Sequence, residues 1–248
     1  MRQNIYDNKN FSTEYDKLRK EKKGYNANDL IEIPNFKKLL PNVKNKSILD
    51  LGCGYGETDK YLKKLGARYV LGTDISNHMI DIANKENKIP GVEYQVLPME
   101  EITSIDKLFD IVISSLAFHY IKDYKKLVKD IYNILNENGI LIFSQEHPLA
   151  TATILDQTIE DNHIEINNKR YYLLSDYNRN GLRNMPWNGE IVKKYHRNIS
   201  ELINGLIEAG FKIDKILEPN PTKEIIKKVP KYIHQYDKPY FIFIKVHK

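Results

Sequence analysis

The sequence predicts an α/β fold: a mostly parallel sheet with helices on both faces, carrying a small inserted cap. Three observations lead there. From residue 47 onward, short β-branched runs alternate with longer amphipathic stretches, as when crossover helices join parallel strands. Three glycines at alternate positions fall where the first strand hands over to a helix. The alternation then breaks over residues 149–198 and resumes to the end of the sequence.

Taken in order, Ser47 to Leu51 reads as the first strand, and a helix runs from about Glu57 to Leu65, stopped by Gly66. Tyr69 to Asp74 is the second strand. Ser76 is placed to cap the next helix, whose apolar face holds Met79, Ile80 and Ala83. After the Pro90-Gly91 turn come strands at Val92 to Val96 and Phe109 to Ser115. Asp123 caps a helix in which Leu127, Val128, Ile131 and Leu135 recur at helical spacing, with Asn138-Gly139 marking its end. Ile140 to Ser144 is the fifth strand. Within the break, alternation on either side of Asn167-Asn168 suggests one hairpin set among loops. Ser200 is read as the cap of a helix ended by Gly210, followed by a strand to Leu217, a short helix from Thr222 to Val229, and a last strand, Tyr240 to Val246, apolar enough for burial on both faces.

The division that follows is an N-terminal helical arm or lid (1–44), a cofactor-binding core (45–148), an inserted substrate cap (149–198) and the remainder of the core sheet (199–248). A length of 248 residues suits one full-sized domain with an insertion. No apolar run approaches the ~18 residues that cross a bilayer, and the first residues lack the apolar region of a secretory signal, so no membrane partner and a cytoplasmic location are expected. The single Cys53 excludes an internal disulfide and a multi-cysteine zinc site, and no metal is expected. The net charge of +5 comes mostly from Lys interleaved with Glu and Asp, not from clusters of Arg with stacking aromatics, and so argues against a nucleic-acid partner.

The stretch Leu49-Asp50-Leu51-Gly52-Cys53-Gly54-Tyr55-Gly56-Glu57 carries most of the functional information. Glycines permit a tight turn and let a ligand approach the backbone, while free N–H groups at the helix start face it. A dinucleotide fingerprint would have its third glycine at position 57, where this chain has Glu57. A carboxylate there competes with a pyrophosphate for the positive helix end, so a cationic or zwitterionic adenosine ligand fits better than NAD or FAD. Asp74, ending the second strand, is placed to accept both hydroxyls of a ribose.

These residues resemble the class I S-adenosylmethionine-dependent methyltransferases, in particular the small-molecule group of ubiquinone and menaquinone biosynthesis. The glycine loop looks like that family's nucleotide loop, Gly72-Thr73-Asp74-Ile75-Ser76 like its ribose acid, and Ser114-Ser115-Leu116-Ala117-Phe118-His119-Tyr120 like its segment after strand four. The resemblance implies a Rossmann-like, seven-stranded sheet with the last strand antiparallel. It also implies that S-adenosylmethionine lies against Asp50, Gly52, Cys53, Gly54, Tyr55 and Gly56, with Asp74 on the ribose and Ile75 and Met79 beside the adenine. Met99 and Glu100 would meet the adenine edge, although Pro98 stands where many relatives have Asp, and Ser115 and Leu116 would complete the wall. The arm, with Tyr15 and Tyr25 among its aromatics, either folds over the ligand or pads the sheet. Gln145-Glu146-His147-Pro148, Val192 to Arg197 and Glu208 to Phe211 resemble uncharacterised bacterial members, and extend the likeness over nearly the whole chain.

Methyl transfer from a sulfonium asks the protein mainly for alignment and a dry pocket, and an oxygen, thiol or amine acceptor gains further from a general base. His119 and His147 follow strands four and five, and His196 ends the insertion; each is a candidate base, with a bracing role as the alternative. Trp187 and Tyr171, Tyr172, Tyr177 and Tyr195 either line an aromatic acceptor pocket or pack the cap. Cys53 reads as a small residue filling its turn. The expected activity is methyl transfer to a small-molecule acceptor, with S-adenosylhomocysteine as product, by a monomer or homodimer. The alternatives are an RNA or protein methyltransferase, or a non-catalytic S-adenosylmethionine-binding regulator. Ser114-Ser115-Leu116-Ala117 is not the Asn/Asp-Pro-Pro-Tyr/Phe that resembling nucleic-acid families use for base N-methylation.

Overall fold

The structure is a computed structural model that describes residues 3–21, 23–152, 163–187 and 189–248. Part of the inserted stretch, 153–162, thus lies outside the described residues. The N-terminal arm holds helix α1 (Lys9–Glu21), a π-helical turn (Asn28–Glu32) and α2 (Ile33–Leu39). Then β1 (Ser47–Leu51), α3 (Glu57–Lys64), β2 (Tyr69–Asp74), α4 (Asn77–Glu86), β3 (Val92–Val96), β4 (Phe109–Ser115), α5 (Tyr124–Ile134) and β5 (Leu135–Glu146) follow the expected alternation. After a single turn, α6 (Pro148–Thr151), two hairpins pair β6 (His163–Ile166) with β7 (Lys169–Tyr172) and β8 (Gly181–Trp187) with β9 (Glu190–His196). The core resumes with α7 (Ile199–Ala209), β10 (Lys212–Leu217), α8 (Lys223–Lys228) and β11 (Phe241–His247).

Seven strands form one sheet in the order β10-β11-β5-β4-β1-β2-β3. The five from β3 to β5 are parallel, and β11 runs antiparallel to both β5 and β10. Burial explains the order. All of β1 and the first four residues of β11 are buried, as suits strands covered on both faces, whereas the outermost β3 and β10 are largely exposed. One apolar cluster packs α5 and α7 against one face through Leu127, Ile131 and Leu206; a second packs α2 and α3 against the other through Phe36 and Leu62. The chain leaves β1 toward β2 and β3, then returns to the far side of β1 as β4. The β1/β4 boundary is therefore the switch point at which open α/β sheets bind ligands.

Local chemistry sets most boundaries as expected. Ser76 accepts from the Met79 N–H and Asp123 from the Lys126 N–H, and Gly210 stops α7 at a φ of 108°. Two readings are corrected. The cap of α7 is Asn198, which accepts from the Glu201 N–H at 2.9 Å, so Ser200 lies inside the helix. Helix α5 stops at Ile134, before Asn138-Gly139, because fully buried Leu135 is drawn into the sheet beside Phe109. The Asn167-Asn168 hairpin is present, both residues at positive φ, while the β8–β9 hairpin was not foreseen.

Candidate active site

At the carboxyl ends of the central strands lies a cleft of about 1290 Å³, walled by the glycine loop, the ends of β2, β4 and β5, the arm, and the β8–β9 hairpin. The loop owes its shape to backbone that few side chains tolerate: Gly52, Gly54 and Gly56 have φ of 75°, 54° and 75°. A Cβ on Gly52 would come within 2.7 Å of Ala117 Cβ, while one on Gly54 would meet nothing within 4 Å, so at Gly54 bare backbone faces the opening. Gly56 is turned away. It caps α3 against Tyr94, whose hydroxyl donates to the Gly56 carbonyl at 3.1 Å, and it does not line the cleft.

Asp74 closes β2 with its carboxylate over the loop, Oδ2 accepting from Gly54 N–H at 3.1 Å and Oδ1 from Ser76 N–H at 2.9 Å. Burial pushes this carboxyl up to about 6, with those N–H groups opposing it. Beneath the loop, Asp50 and Asp59 are both buried; burial and the neighbouring acid push Asp50 well above the usual carboxylate range, and burial raises Asp59. Neither has an ion pair among the described residues. Asp50, Asp74 and Glu32 thus place three carboxyls on this wall whose ionised form burial disfavours, and a cationic ligand would favour that form. Cys53 lines the cleft with its thiol pushed far up by burial, which removes it as a nucleophile.

Among the other residues expected at the cofactor, Tyr15, Tyr55, Ile75, Met79, Met99, Glu100, Ser115 and Leu116 all line the cleft. Tyr25 does not. It is 58% exposed, with the Lys228 ammonium 4.4 Å from its ring centre and its carbonyl accepting from the Tyr232 hydroxyl, so it is pinned toward the C-terminal helix α8.

The three histidines separate. His119 lies in the wall, where burial pulls its pKa down to about 4. Its Nδ1 accepts from the Glu146 N–H at 3.4 Å, which assigns the ring proton to Nε2 and leaves a neutral donor rather than a base. His147 is buried outside the cleft. Its Nδ1 caps α6 by accepting from Leu149 N–H, and its Nε2 lies 2.7 Å from Glu218 Oε1. His196 is likewise outside, both ring nitrogens taken up by the Thr151 hydroxyl at 2.7 Å and the Tyr177 carbonyl at 2.9 Å. With no free nitrogen, these two histidines are not placed to receive a proton from a ligand in the cleft.

Several wall residues escaped the sequence reading. Glu146, one position before His147, points its Oε1 at the Lys194 ammonium of β9; burial works to raise its pKa, while the charge and hydrogen bond of Lys194 oppose that and the carboxyl stays low. Glu146 lies two positions past the expected end of the fifth strand and Lys194 on a hairpin that was not foreseen, so the local pattern gave no signal for the pair. Arg19 of α1 meets Glu57 at 2.9 Å, answering the acid at the start of α3. Glu32, an acid alone between Ile31 and Ile33, accepts from the hydroxyls of Ser115 and Ser144. Tyr6 lies 3.3 Å from Tyr120, hydroxyl to hydroxyl. Above the opening, Trp187 stands edge-on to Phe11 and Tyr15 at 5.3 and 5.8 Å between ring centres, and Lys193 N–H donates to Gln3 Oε1. The arm and hairpin therefore meet as a roof. Tyr195 lines the cleft, whereas Tyr171, Tyr172 and Tyr177 do not.

The comparisons with known proteins agree with this arrangement. A family described as "Methyltransferase domain" matches residues 49–143. An uncharacterized protein from Haemophilus influenzae is 35% identical over 254 residues, spanning 98% of this chain and 96% of its own. A crystal structure from Listeria monocytogenes, assigned as an S-adenosylmethionine-dependent methyltransferase, is 34% identical with a TM-score of 0.74 and covers 87% of this chain and 95% of its own. An S-adenosylmethionine-dependent methyltransferase from Mesorhizobium loti is 30% identical with a TM-score of 0.79, over 88% and 97% of the two chains. With its glycine loop and the Asp74 carboxyl at the switch point of a seven-stranded sheet, this chain belongs to the class I S-adenosylmethionine-dependent methyltransferases, and S-adenosylmethionine is its cofactor.

Proposed function

We propose that the enzyme methylates a small-molecule acceptor enclosed beneath the roof that the arm and the β8–β9 hairpin form together. One observation carries this reading: Trp187 of the hairpin packs edge-on against Phe11 and Tyr15 of the arm, so the two close over the cleft from one side, which favours a compact acceptor over a polymer. Its volume of about 1290 Å³ exceeds the roughly 300–1,000 Å³ of a single small-ligand site and suits a cofactor with a compact acceptor beside it.

The cofactor fits the residues present. The open backbone at Gly54, the carboxylate of Asp74 and the unbalanced acids of the wall are what a sulfonium with a ribose asks for. Gly52, Gly54 and Asp50 would hold its centre, Asp74 its sugar, and Ile75, Met79 and Met99 its base. S-adenosylmethionine supplies a methyl group already activated on sulfur, so the chain's task is orientation and exclusion of water. His119, as a neutral Nε2–H donor, and the Glu146–Lys194 pair orient the acceptor, and Trp187, Tyr6 and Tyr120 keep the compartment dry.

The test is transfer of labelled methyl from S-adenosylmethionine to fractions of a metabolite extract, with purified tRNA and bulk protein in parallel. Incorporation into a low-molecular-mass fraction is expected. Incorporation into tRNA or protein alone would reverse the reading.

A further inference from the structure

Glu32 is a charge that the fold itself does not require. It is 1% exposed, closes the π-helical turn of the arm, and belongs to the wall of the cleft. The hydroxyls of Ser115 and Ser144 donate to the same oxygen, Oε1, at 2.9 and 2.5 Å. No described residue hydrogen-bonds to Oε2, and Glu32 has no ion pair among the described residues. The nearby guanidinium of Arg19 is committed to Glu57 at 2.9 Å and Asp29 at 3.6 Å. Burial pushes the Glu32 carboxyl up to about 7, with the two hydroxyls and, more weakly, the Arg19 charge opposing. A tie between arm and sheet could be made by an amide. A carboxylate held in a buried wall with one oxygen unused is costly unless a cation from outside meets it.

Position says which cation. Ser115 ends β4 on one side of β1, and Asp74 ends β2 on the other, with the glycine loop between them. A ligand whose sugar lies at Asp74 and whose length follows the loop has its far end at Ser115 and Glu32. We propose that Glu32 recognises the α-ammonium group at the amino-acid end of S-adenosylmethionine, through Oε2. The arm thereby senses the part of the cofactor most distant from its base. This inference rests on the placement of the cofactor proposed above.

Titration calorimetry on the full chain tests it with three probes: S-adenosylhomocysteine, its deaminated analogue, and methylthioadenosine, which lacks the whole amino-acid end. The wild-type chain is expected to prefer S-adenosylhomocysteine over the deaminated analogue by roughly tenfold to a hundredfold, the range for a hydrogen bond between charged groups. In Glu32→Gln, which keeps an acceptor for the two serines, that preference is expected to disappear while methylthioadenosine binds as before. Equal wild-type affinity for the first two probes overturns the proposal, as does a preference that survives in Glu32→Gln. Equal weakening of all three probes also overturns it, since that marks a purely structural tie. The wild-type comparison needs no variant, so the proposal stays open to refutation even if Glu32→Gln folds poorly. If the wild-type chain binds none of the probes, the cofactor site itself falls, and this inference with it.

Discussion

Asp7 and Ser76 stand 69 positions apart in the chain, yet the Ser76 hydroxyl donates to Asp7 Oδ1 at 2.5 Å. The same carboxylate accepts from the His78 N–H at 3.1 Å and the Asn77 N–H at 3.3 Å, so a residue of the arm serves as an anion at the start of α4. The arm is thereby fastened beside Asp74. Asp7→Ala is expected to cost about 1 kcal/mol of stability, as for a lost helix cap, and to loosen cofactor binding. Burial works to raise the Asp7 pKa, but hydrogen bonds from Ser76, His78 and Asn77 outweigh it and lower it to about 2. Because the folded value lies below the ordinary 3.8, the contribution is complete above about pH 4 and fades as pH falls toward 2. Thermal unfolding of wild type and Asp7→Asn should differ by a constant amount above pH 4 and converge below it.

Asp74→Ala is expected to weaken S-adenosylhomocysteine binding by about 1.5 to 3 kcal/mol, read by calorimetry. With its pKa raised to about 6, Asp74 is ionised above that pH and protonated below it. Hydroxyl donors of a ribose need the ionised form, so affinity should fall as pH drops through 6. Asp74→Asn should show no such step of its own. An unchanged affinity in Asp74→Ala would remove this residue from the site.

The glycines of the loop should fail differently. At Gly56, with φ of 75°, a methyl group would overlap the Tyr94 hydroxyl, so Gly56→Ala combines backbone strain with overpacking and should lose about 2 to 5 kcal/mol in denaturant unfolding. Gly54→Ala meets open space and bears only the left-handed backbone, about 1 to 2 kcal/mol, but its methyl enters the cleft. It should keep most of its stability and lose ligand affinity. Equal stability losses would contradict the packing described for Gly56.

His119, pulled to about 4 by burial, is neutral throughout the physiological range. The pH profile of kcat/KM should therefore show no inflection attributable to it between pH 6 and 8, and His119→Asn, which keeps a donor, should retain more activity than His119→Ala. His147→Ala and His196→Ala should lower Tm through the hydrogen bonds they break, leaving the KM for S-adenosylmethionine near wild type.

The core was legible because each of its signals is local. Ser47 to Leu51, the glycines at 52, 54 and 56, and the caps Ser76 and Asp123 act within a few residues of themselves, and the structure places each as read. Most of the residues expected at the cofactor line the cleft, since they sit at strand ends set by that alternation, whereas Gly56 and Tyr25 do not. What failed depends on distant partners. His147 and His196 resemble catalytic groups until Glu218 and Thr151, far away in sequence, engage their rings. Tyr25 resembles an arm aromatic until Lys228 draws it off, and Glu32 gains meaning only when Ser115 and Ser144 arrive from other strands. The β8–β9 hairpin hid behind Pro186 and a run of polar residues, although Gly189, at φ of 79°, follows Asn188 in the pair that commonly turns a hairpin.

The antiparallel β11 lies between β5 and β10, although it follows both in the chain. During synthesis, β10 leaves the ribosome before it has a neighbour to pair with, and β5 waits with an unsatisfied rim of N–H and C=O groups. Only the arrival of Phe241–His247 completes both ladders at once. Chains that stop short of that segment are expected to expose two unpaired strand edges and to aggregate more readily than the full chain, which sedimentation of a variant truncated before Phe241 would check.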